Sequence, residues 1–335
     1  GAAEGRSARD ILPQLQWLFA QLQHSGRTCY DPAAFTEALA LDTRVQQDAQ
    51  EFNKLLLSFL EEQLKLSPDA SLSTLVPSQF QGQYRYLTIC SGCNQPSASS
   101  ATNWPFYELT LNVIAQRTQK AHASLHDALR EYVESEDLSG VECSMGCQGL
   151  KRDATRRIEL VSLPPVLCLQ LLRFVYDART LSKKKVSVPI RFPEVLDITP
   201  YTRAAVADAT AATAAATATT AAAATTTATA AATAAAAAAG APAGRYRLTA
   251  VLMHTGASAH SGHYTARIME QPAGGISSGQ TCGTAALDGA RWWTFNDESV
   301  TLEGWKTEKQ AATSGVALVG HSQGGGGGGG GGEGG

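Results

Sequence analysis

The sequence predicts an α+β fold, with helices in the first part of the chain and strands in the rest. Apolar residues recur at helical spacing before Phe80, whereas alternation with a period of two dominates from there to Asn296. The two patterns do not take turns along the chain, as they do in proteins built from βαβ units. Two tracts fit neither pattern, because residues 204–243 are almost wholly Ala and Thr and residues 324–335 are almost wholly Gly.

Two long helices are predicted before Phe80. The first spans residues 10–24, where Asp10 is a candidate N-cap and Pro13 falls in the first turn, a position at which proline is tolerated. The second begins at Asp48 and has the spacing of a core-facing helix. Its apolar positions are Phe52, Leu55, Leu56, Phe59 and Leu60. The apolar stripe of the first helix consists of Ile11, Leu15, Leu18 and Leu22.

Strands account for most of the remaining elements. A short helix is expected at 125–133, and the tract at 204–243 is expected to be a disordered insertion because it offers almost no large apolar side chain for a core. The Gly-rich end is expected to be disordered because of the high conformational entropy of glycine. Strands are predicted at 83–89, 107–113, 155–163, 166–174, 186–192, 245–254, 263–269 and 291–296.

Composition argues against several classes of protein. The formal net charge is -3 at pH 7, whereas proteins that bind a nucleic-acid backbone normally carry a basic excess. No apolar run approaches the roughly 20 residues that a membrane-spanning helix needs. The 7 cysteines are an odd number and include two close pairs, a pattern typical of metal binding in a reducing compartment rather than of a disulfide framework. A nuclear or cytoplasmic protein is therefore expected.

The two cysteine pairs predict a structural zinc site. Cys90 and Cys93 are separated by two residues, and Cys143 and Cys147 by three. Two such pairs, each on a tight turn, can supply four thiolates to a tetrahedral zinc ion. The longer spacing of the second pair widens its turn without preventing coordination. From the residues alone, four thiols without a metal remain the alternative.

A candidate base and its orienting residue occur late in the strand-rich region. His263 stands at the start of a predicted strand, and Asn296 and Asp297 lie at the end of the next one. A cysteine protease uses such a combination, because the imidazole deprotonates the thiol and later protonates the leaving group, while an amide or carboxylate fixes its tautomer. By spacing alone the pattern is weak, since a single histidine is more often structural. Residues 46–52 read only as a polar helix N-terminus.

Taken together, these segments resemble the ubiquitin-specific proteases, which are papain-like cysteine deubiquitinases with thumb, palm and fingers regions. The resemblance covers residues 10–203 and 245–306. It implies hydrolysis of the peptide or isopeptide bond after the C-terminal glycine of ubiquitin, with ubiquitin and ubiquitinated proteins as partners and a structural zinc in the fingers. The matching motifs, in order, are the glutamine box at 46–52, the first zinc knuckle at 84–93, a fingers strand at 106–113, a palm strand at 163–174, and the histidine box at 262–264 with 295–297.

The resemblance implies a catalytic role for three residues. His263 would be the general base and Asn296 the residue that orients it. Asp297 is a second candidate for the orienting role, because some members of the family use the next position. His260 lies close by in the sequence, but the family motif assigns the catalytic role to the later histidine.

The resemblance also implies a set of substrate-binding residues. Asp48 would pair with arginines of the ubiquitin tail, and Gln47 belongs to the same box. Tyr264 would line the narrow channel that holds the two terminal glycines, next to Gly262. The zinc ligands would be Cys90, Cys93, Cys143 and Cys147.

The nucleophile box of the family is not recognised in this sequence. That box reads roughly Gly-Leu-x-Asn-x-Gly-Asn-Thr-Cys-Tyr and precedes the first helix. Residues Thr28, Cys29 and Tyr30 repeat only its end, without the Asn-x-Gly-Asn lead-in, and they follow the first helix. The chain begins at Gly1 rather than Met, so a thumb truncated before its first helix is expected, and a chain that is inactive by itself.

The regions expected from this resemblance are a helical thumb at 1–79, fingers with the zinc ribbon at 80–162, a palm at 163–310 interrupted by the insertion at 204–243, and a disordered Gly-rich tail at 311–335. The chain is expected to act as a monomer, without nucleic acid or membrane as partners. Two other classes stay open: a catalytically inactive homologue that binds ubiquitin without cutting it, and a zinc-ribbon nucleic-acid binder, which the net charge disfavours.

Overall fold

The structure is a computed structural model that describes residues 4–27, 30–42, 48–177, 179, 181–202, 244–256, 262–270, 291–303 and 315–322. Helices come first and are followed by two main β-sheets, so the predicted α+β class is confirmed. Within these ranges, no helix combines the length and the apolar character that crossing a membrane requires.

The helical part contains α1 (Glu4–His24), α2 (Ala33–Ala38), α3 (Ala49–Lys65), α4 (Ala70–Ser73) and α5 (Leu75–Phe80). Helix α1 begins earlier than predicted, because no proline interrupts residues 4–9. Asp10 is therefore not its N-cap. Pro13 lies inside the helix. Because proline has no backbone N–H, the carbonyl oxygen of Arg9 lacks the hydrogen bond that it would otherwise accept from residue 13.

Helix α3 begins where the sequence predicts. The carboxylate of its N-cap, Asp48, accepts hydrogen bonds from the backbone N–H groups of Gln50 at 2.9 Å and Glu51 at 3.4 Å. The apolar face of α3 is only half-buried, however, and Leu55 is 64% exposed. The helices packed against it, α4 and α5, are too short to cover that face. The prediction of a core-facing helix is therefore only partly correct.

Polar side chains tie α3 to the strand-rich region. Gln50 donates a hydrogen bond to Glu108, and Lys54 forms an ion pair with the same carboxylate at 2.9 Å. One turn from the other end of the helix, Glu61 accepts a hydrogen bond from the Tyr107 hydroxyl. Burial, together with this carboxylate, raises the pKa of Tyr107 to about 12. The first half of α3 is thus bound to Glu108 and its second half to the preceding residue, Tyr107.

The described strand-rich part contains one further α-helix, α6 (Leu125–Val133), and two short 3-10 helices, Ala98–Ala101 and Thr199–Tyr201. The strands are β1 (Gly82–Cys90), β2 (Trp104–Phe106), β3 (Leu109–Asn112), β4 (Glu136–Cys143), β5 (Leu150–Ser162), β6 (Val166–Leu172), β7 (Phe174–Asp177), β8 (Ser182–Lys185), β9 (Val195–Asp197), β10 (Arg245–Thr255), β11 (His263–Met269), β12 (Trp292–Asn296), β13 (Ser299–Glu303) and β14 (Gly315–Ser322). The predicted helix at 125–133 and the predicted strand at 263–269 match α6 and β11 residue for residue.

The fingers sheet has four antiparallel strands in the order β2-β1-β5-β4. Strand β1 pairs with β5 from Gln83 onward, ending with Cys90 opposite Ala154. Strand β4 pairs with the other side of β5 and ends with Cys143 opposite Leu150. The two long strand pairs therefore carry the cysteine motifs to the same end of the sheet.

The palm sheet has eight strands, in the order β13-β12-β11-β10-β14-β6-β3, with β9 also paired to β10. The pair of β3 and β6 is parallel and the others are antiparallel. Helix α6 packs against β3 and β5. The core cluster formed there includes fully buried side chains from α6, from three palm strands and from the segment between β8 and β9: Leu129, Leu109, Leu171, Trp292 and Ile190. Burial of each such side chain contributes about 1.5–3 kcal/mol.

The strand predicted at 186–192 is absent from the described structure, and the chain instead forms the β7–β8 hairpin. The reason lies in Arg173, which is 1% exposed. Its Nη1 donates hydrogen bonds to the carbonyl oxygens of Val186 at 3.0 Å and Val188 at 2.8 Å. These backbone groups therefore pair with a side chain rather than with a neighbouring strand. The same residue ends β6 before the predicted boundary at 174.

The palm extends beyond the predicted boundary at 310. Strand β14 lies in the stretch predicted as a disordered tail, and it pairs with β10 on one side and β6 on the other. Its sequence explains the difference, because residues 316–319 read Val-Ala-Leu-Val before glycine dominates the composition. The predicted insertion at 204–243 and the Gly-rich end after Ser322 lie outside the described residues.

Candidate active site and metal centre

The predicted base and its orienting residue lie on adjacent strands of the palm sheet. His263 is the first residue of β11 and Asn296 the last residue of β12, and the two strands pair antiparallel. This register brings the side chains together, with His263 Nε2 at 2.5 Å from Asn296 Oδ1. Because an amide oxygen only accepts, Nε2 carries the proton and Nδ1 keeps a free lone pair. That tautomer suits a general base that acts from Nδ1.

Asp297 lies beside the same imidazole. Its Oδ2 is 3.7 Å from His263 Nε2, too far for a hydrogen bond but within ion-pair distance. Asp297 occupies the turn between β12 and β13 with a φ of 49°, a left-handed conformation that aspartate tolerates better than most residues. Both predicted orienting residues are thus near Nε2, and Asn296 is the one in hydrogen-bonding contact.

Within the described ranges, no cysteine hydrogen-bonds to His263. Four of the cysteines form a cluster in the fingers, and Cys168 lies on β6. Strands β10 and β14 separate β6 from β11, which places the two backbones about 14 Å apart at the usual strand spacing. Burial also raises the pKa of the Cys168 thiol to about 12, the opposite of what an attacking thiolate needs. Cys29 and His260 lie outside the described residues.

Two of the predicted substrate-binding residues, Asp48 and Tyr264, meet at the N-terminus of α3. Burial raises the pKa of Tyr264, the nearby carboxylate of Asp48 adds to the rise, and a backbone hydrogen bond from Ala49 opposes it. The tyrosine hydroxyl therefore lies against the first turn of α3, directly after the predicted base in the chain. Gln47 lies outside the described residues.

Gly262 occupies a position where no side chain fits. A Cβ there would lie 2.3 Å from His254 Nε2 and 2.4 Å from the carbonyl oxygen of Thr255. Both separations are far shorter than van der Waals contact, so any larger residue would displace the backbone just before His263. Steric exclusion of a side chain thus explains why this position of the predicted histidine box is a glycine.

Three buried side chains near this site were not predicted from the sequence. His254 is fully buried, Arg173 is 1% exposed and Lys185 is 9% exposed. Lys185 Nζ lies 3.1 Å from His254 Nδ1. The one signal in the sequence is a histidine at the end of a strand that is otherwise apolar at 251–253. It indicates a buried polar group but not its partner.

The four predicted zinc ligands meet at the end of the fingers sheet. Cys90 Sγ is 3.8 Å from Cys147 Sγ, Cys93 Sγ is 3.6 Å from Cys143 Sγ, and all four sulfur atoms lie within 4.8 Å of one another. Four sulfur ligands at the usual Zn–S distance of about 2.3 Å would be about 3.8 Å apart. The arrangement therefore fits a tetrahedral zinc ion.

Backbone groups favour the thiolate form of one predicted ligand, Cys143, whereas burial and the neighbouring thiols raise the pKa of Cys147 to about 12. Hydrogen bonds from the backbone of Cys147 and Met145 lower the pKa of Cys143 to about 6. Gly146 allows the two knuckles to approach, because a Cβ there would lie 2.7 Å from the Cβ of Cys93. The local structure thus supports the ligand set that the sequence predicts.

Known proteins similar to this chain point in the same direction. A family model described as "Ubiquitin carboxyl-terminal hydrolase" matches residues 2–318. Ubiquitin carboxyl-terminal hydrolase 48 of Danio rerio is 36% identical over 304 residues, which are 90% of this chain and 23% of that protein. Ubiquitin carboxyl-terminal hydrolase 26 of Oryza sativa subsp. japonica is 34% identical over 296 residues, which are 88% of this chain and 22% of that protein. The chain thus spans less than a quarter of these relatives.

Two solved structures share the fold. One is a SAGA DUB module with Ubp8 bound to monoubiquitin, which matches 87% of this chain and 52% of its own at a TM-score of 0.60 and 22% identity. The other is a yeast SAGA DUBm, with 93% of this chain and 58% of its own matched at a TM-score of 0.62 and 19% identity. The predicted thumb–palm–fingers architecture is confirmed. Since the family model matches nearly the whole sequence, the chain belongs to the ubiquitin carboxyl-terminal hydrolase family.

Proposed function

We propose that this chain is the larger part of a deubiquitinase domain that hydrolyses the peptide or isopeptide bond after the C-terminal glycine of ubiquitin by cysteine-protease chemistry. The observation that carries the proposal is the hydrogen-bonded pair of His263 and Asn296 in a chain of this family. Relatives similar over about nine-tenths of the chain are named ubiquitin carboxyl-terminal hydrolases. A structure with the same fold is bound to monoubiquitin.

His263 acts twice in the proposed reaction. Its Nδ1 takes the proton of a cysteine thiol, and the thiolate attacks the carbonyl carbon of the terminal glycine. The imidazolium returns the proton to the departing amine, which leaves a thioester. Water then gives its proton to the same nitrogen, attacks the thioester, and releases ubiquitin and the thiol. Asn296 holds the ring through Nε2, and Asp297 lies 3.7 Å from the same nitrogen.

We propose that the nucleophile comes from a cysteine box that this sequence does not contain. None of the 7 cysteines follows an Asn-x-Gly-Asn lead-in, and Cys168 has a raised pKa and lies three strands away from His263. Cys29 is the alternative within the chain. Without the box, the chain by itself is inactive, because it also lacks an oxyanion donor of a kind that contributes about 10²–10³ in rate.

The ubiquitin tail would enter between α3 and β11. Both cap hydrogen bonds of Asp48 use Oδ1, which leaves Oδ2 for a guanidinium group of the tail. Tyr264 lies against the same helix end, and Gly262 has no side chain. A passage bounded by these groups suits the two terminal glycines, and Gln47 would add a polar contact at the entrance.

The zinc ion proposed for the fingers has a structural role. Its ligands would be Cys90, Cys93, Cys143 and Cys147, and a site with four cysteine ligands has no open position for catalysis. The remaining expectations belong to the same proposal: ubiquitin and ubiquitinated proteins as partners, a monomeric state, and a nuclear or cytoplasmic location.

A second candidate is a homologue that binds ubiquitin without cutting it. The specific observation in its favour is that no described cysteine hydrogen-bonds to His263. The intact contact between His263 and Asn296 stands against it, because a protein that only binds has no need of that hydrogen bond.

The experiment that separates the two candidates compares this chain with the full-length gene product. The expected result is turnover of a ubiquitin C-terminal amide reporter by the full-length product and none by this chain. Ubiquitin binding without turnover by the full-length product would favour the second candidate, and loss of both would contradict both. If the present chain reacts with a ubiquitin vinyl-sulfone probe and Cys29→Ser removes the reaction, the nucleophile is Cys29.

A further inference from the structure

His254 is a buried imidazole at the edge of the proposed active site, and the proposed reaction does not use it. Its ring packs edge-on against two aromatic rings, with the centroid of Phe174 at 5.2 Å and that of Tyr264 at 4.9 Å. In the pairing of β10 with β11, His254 lies opposite Tyr264, and Thr255 lies opposite His263. The imidazole is therefore next to the strand that begins with the proposed base.

A single lysine holds one side of this ring. Lys185 Nζ donates hydrogen bonds to His254 Nδ1 at 3.1 Å, to the carbonyl oxygen of His254 at 2.8 Å and to the carbonyl oxygen of Gly256 at 2.9 Å. These three contacts use all the protons of the ammonium group. Because the two residues are 69 positions apart in the chain, the contact joins the β7–β8 hairpin to the end of β10.

The other side of the ring faces Gly262. Because His254 Nδ1 accepts a hydrogen bond from the lysine, Nε2 carries the hydrogen of the neutral ring. Nε2 has no hydrogen-bond partner in the described part of the chain. Nε2 and Cε1 are the atoms that a Cβ at Gly262 would meet, at 2.3 Å and 2.5 Å. The ring edge therefore contacts the backbone immediately before His263.

We propose that Lys185 and His254 form a positioning unit for the proposed reaction. The lysine orients the ring, the ring edge supports the backbone at Gly262, and that backbone aims His263 at Asn296. His254 does not exchange protons with substrate, because it is fully buried. The catalytic consequence rests on the proposed function, whereas the positioning is a property of this chain by itself.

The groups around the ring keep it neutral. Burial lowers the pKa of His254, the charge of Lys185 lowers it further, and the carboxylate of Asp48 opposes the change. Burial also lowers the pKa of Lys185, with a contribution from Arg173. Tyr264, which packs against the ring, has a pKa raised by burial and stays neutral. A ring that does not change its charge near pH 7 keeps one tautomer, as a fixed support must.

The activity test uses the full-length gene product and two single variants. Lys185→Met removes the donor, and His254→Asn keeps an acceptor for the lysine but lacks the ring atoms that contact Gly262. Each should lower kcat by roughly 10- to 100-fold, as misplacement of a catalytic group does. KM should change much less, since substrate contacts remain. Lys185→Arg, which keeps donors, should retain more activity than Lys185→Met. Lys184→Met, at the exposed neighbouring position, is the matched control and should keep full activity.

The double variant distinguishes one unit from two independent residues. If Lys185 acts through His254, the combination of Lys185→Met and His254→Asn should be no slower than the slower single variant. Losses in kcat that multiply would overturn the proposal, because each residue would then act separately.

A measurement on the present chain requires no catalysis. In protein with ¹⁵N-labelled histidines, the ring nitrogens of His263 should show the Nε2–H tautomer, and Asn296→Ala provides the reference for a ring without its partner. Lys185→Met and His254→Asn should shift the His263 signals toward that reference, whereas Lys184→Met should not. Unchanged His263 signals in folded Lys185→Met protein would overturn the positioning role. Shifted signals combined with an inactive full-length product would contradict the proposed function alone.

Discussion

At the scale of single residues, the contributions of Asn296 and Asp297 can be separated by kinetics. In the full-length gene product, loss of the base in His263→Ala should lower kcat by about 10²–10⁴-fold. Asn296→Ala should cause a smaller loss, because Asp297, at 3.7 Å from the same ring nitrogen, can take over part of the orientation. Steady-state kinetics on a ubiquitin C-terminal amide reporter gives both values.

Three further variants make this comparison decisive. The double substitution Asn296→Ala with Asp297→Ala should approach the rate of His263→Ala, because neither orienting group remains. His260→Ala and Cys29→Ser should largely preserve turnover. If Asn296→Ala alone is as slow as His263→Ala, then Asp297 provides no substitute.

The residues of the site were predictable where the chemistry follows from short motifs. His263 begins one predicted strand and Asn296 ends another, and the structure brings their side chains together. Their roles stay predictions until the variants are measured. Lys185 and His254 were not predictable, because they are 69 positions apart. A run of three lysines at 183–185 also gives no sign that one of them is buried.

At the scale of elements, the zinc ribbon should bind about one zinc ion per chain. Elemental analysis of protein purified without added metal is the measurement, and Cys90→Ser should lower the zinc content because it removes one of four ligands. Cys168→Ser is the matched control, since this cysteine is not part of the cluster. Zinc content near zero in well-folded protein would favour four thiols without a metal.

The capping box of α6 gives a second prediction at this scale. The backbone N–H of Asp127 donates to Ser124 Oγ at 3.3 Å, and the backbone N–H of Ser124 donates to the Asp127 carboxylate at 3.0 Å. Ser124→Ala should destabilise the fold by about 1 kcal/mol. In thermal unfolding this corresponds to a Tm lower by about 2–4 °C. An unchanged Tm would show that water replaces the cap at no cost.

The same cap should depend on pH. The Ser124 hydroxyl, with a smaller contribution from Arg130, holds the pKa of Asp127 below its usual 3.8. A carboxylate with a lowered pKa in the folded state stabilises the fold above its unfolded pKa, and that stabilisation is lost as the pH falls through the folded pKa. The Tm difference between the wild type and Ser124→Ala should therefore be largest near pH 7 and shrink below about pH 4. A difference that grows in acid would contradict this.

Elements with clear periodicity were predictable, as α6 and β11 show. The strand at 186–192 was not, because the carbonyl groups of Val186 and Val188 bind the buried guanidinium of Arg173. Alternation in sequence indicates a strand-like backbone but cannot show that a side chain takes the place of a neighbouring strand.

At the scale of the whole molecule, the Ala/Thr tract should be dispensable for folding. The chain on its two sides is already joined, since the N–H of Ile198 donates to the carbonyl oxygen of Gly244 at 2.6 Å and Asp197 pairs with Arg245. Deleting 206–241 shortens the connection between Thr202 and Gly244, and the entropy of closing a flexible connection varies slowly with its length. The Tm in thermal unfolding should therefore change by less than about 2–4 °C. A decrease of about 10 °C or more would correspond to several kcal/mol and would indicate a packed segment.

The architecture was predictable because the motifs occur in a specific order along the chain. The region boundaries were less so. Strand β3 pairs with β6 in the palm sheet although it lies within the predicted fingers range of 80–162, and β14 pairs within the palm although it follows the predicted palm boundary at 310. Composition marks where glycine begins to dominate, but the pairing of strands depends on contacts that are distant in sequence.

The position of β14 between β10 and β6 bears on how this protein folds as it is synthesised. The last described strand of the chain occupies an interior place in the palm sheet, so both flanking strands leave the ribosome with an unpaired edge. The end of β10 and the start of β14 are about 60 residues apart, whereas the end of β6 and the start of β14 are about 140 residues apart. At the usual 5–20 residues per second, the edge of β10 stays open for roughly 3–12 seconds and the edge of β6 for roughly 7–28 seconds. Open edges pair readily with other chains. A chain that stopped at residue 310 would lack β14, so the edges of β10 and β6 that face β14 would stay unpaired. Such a chain would assemble with its own copies through these edges.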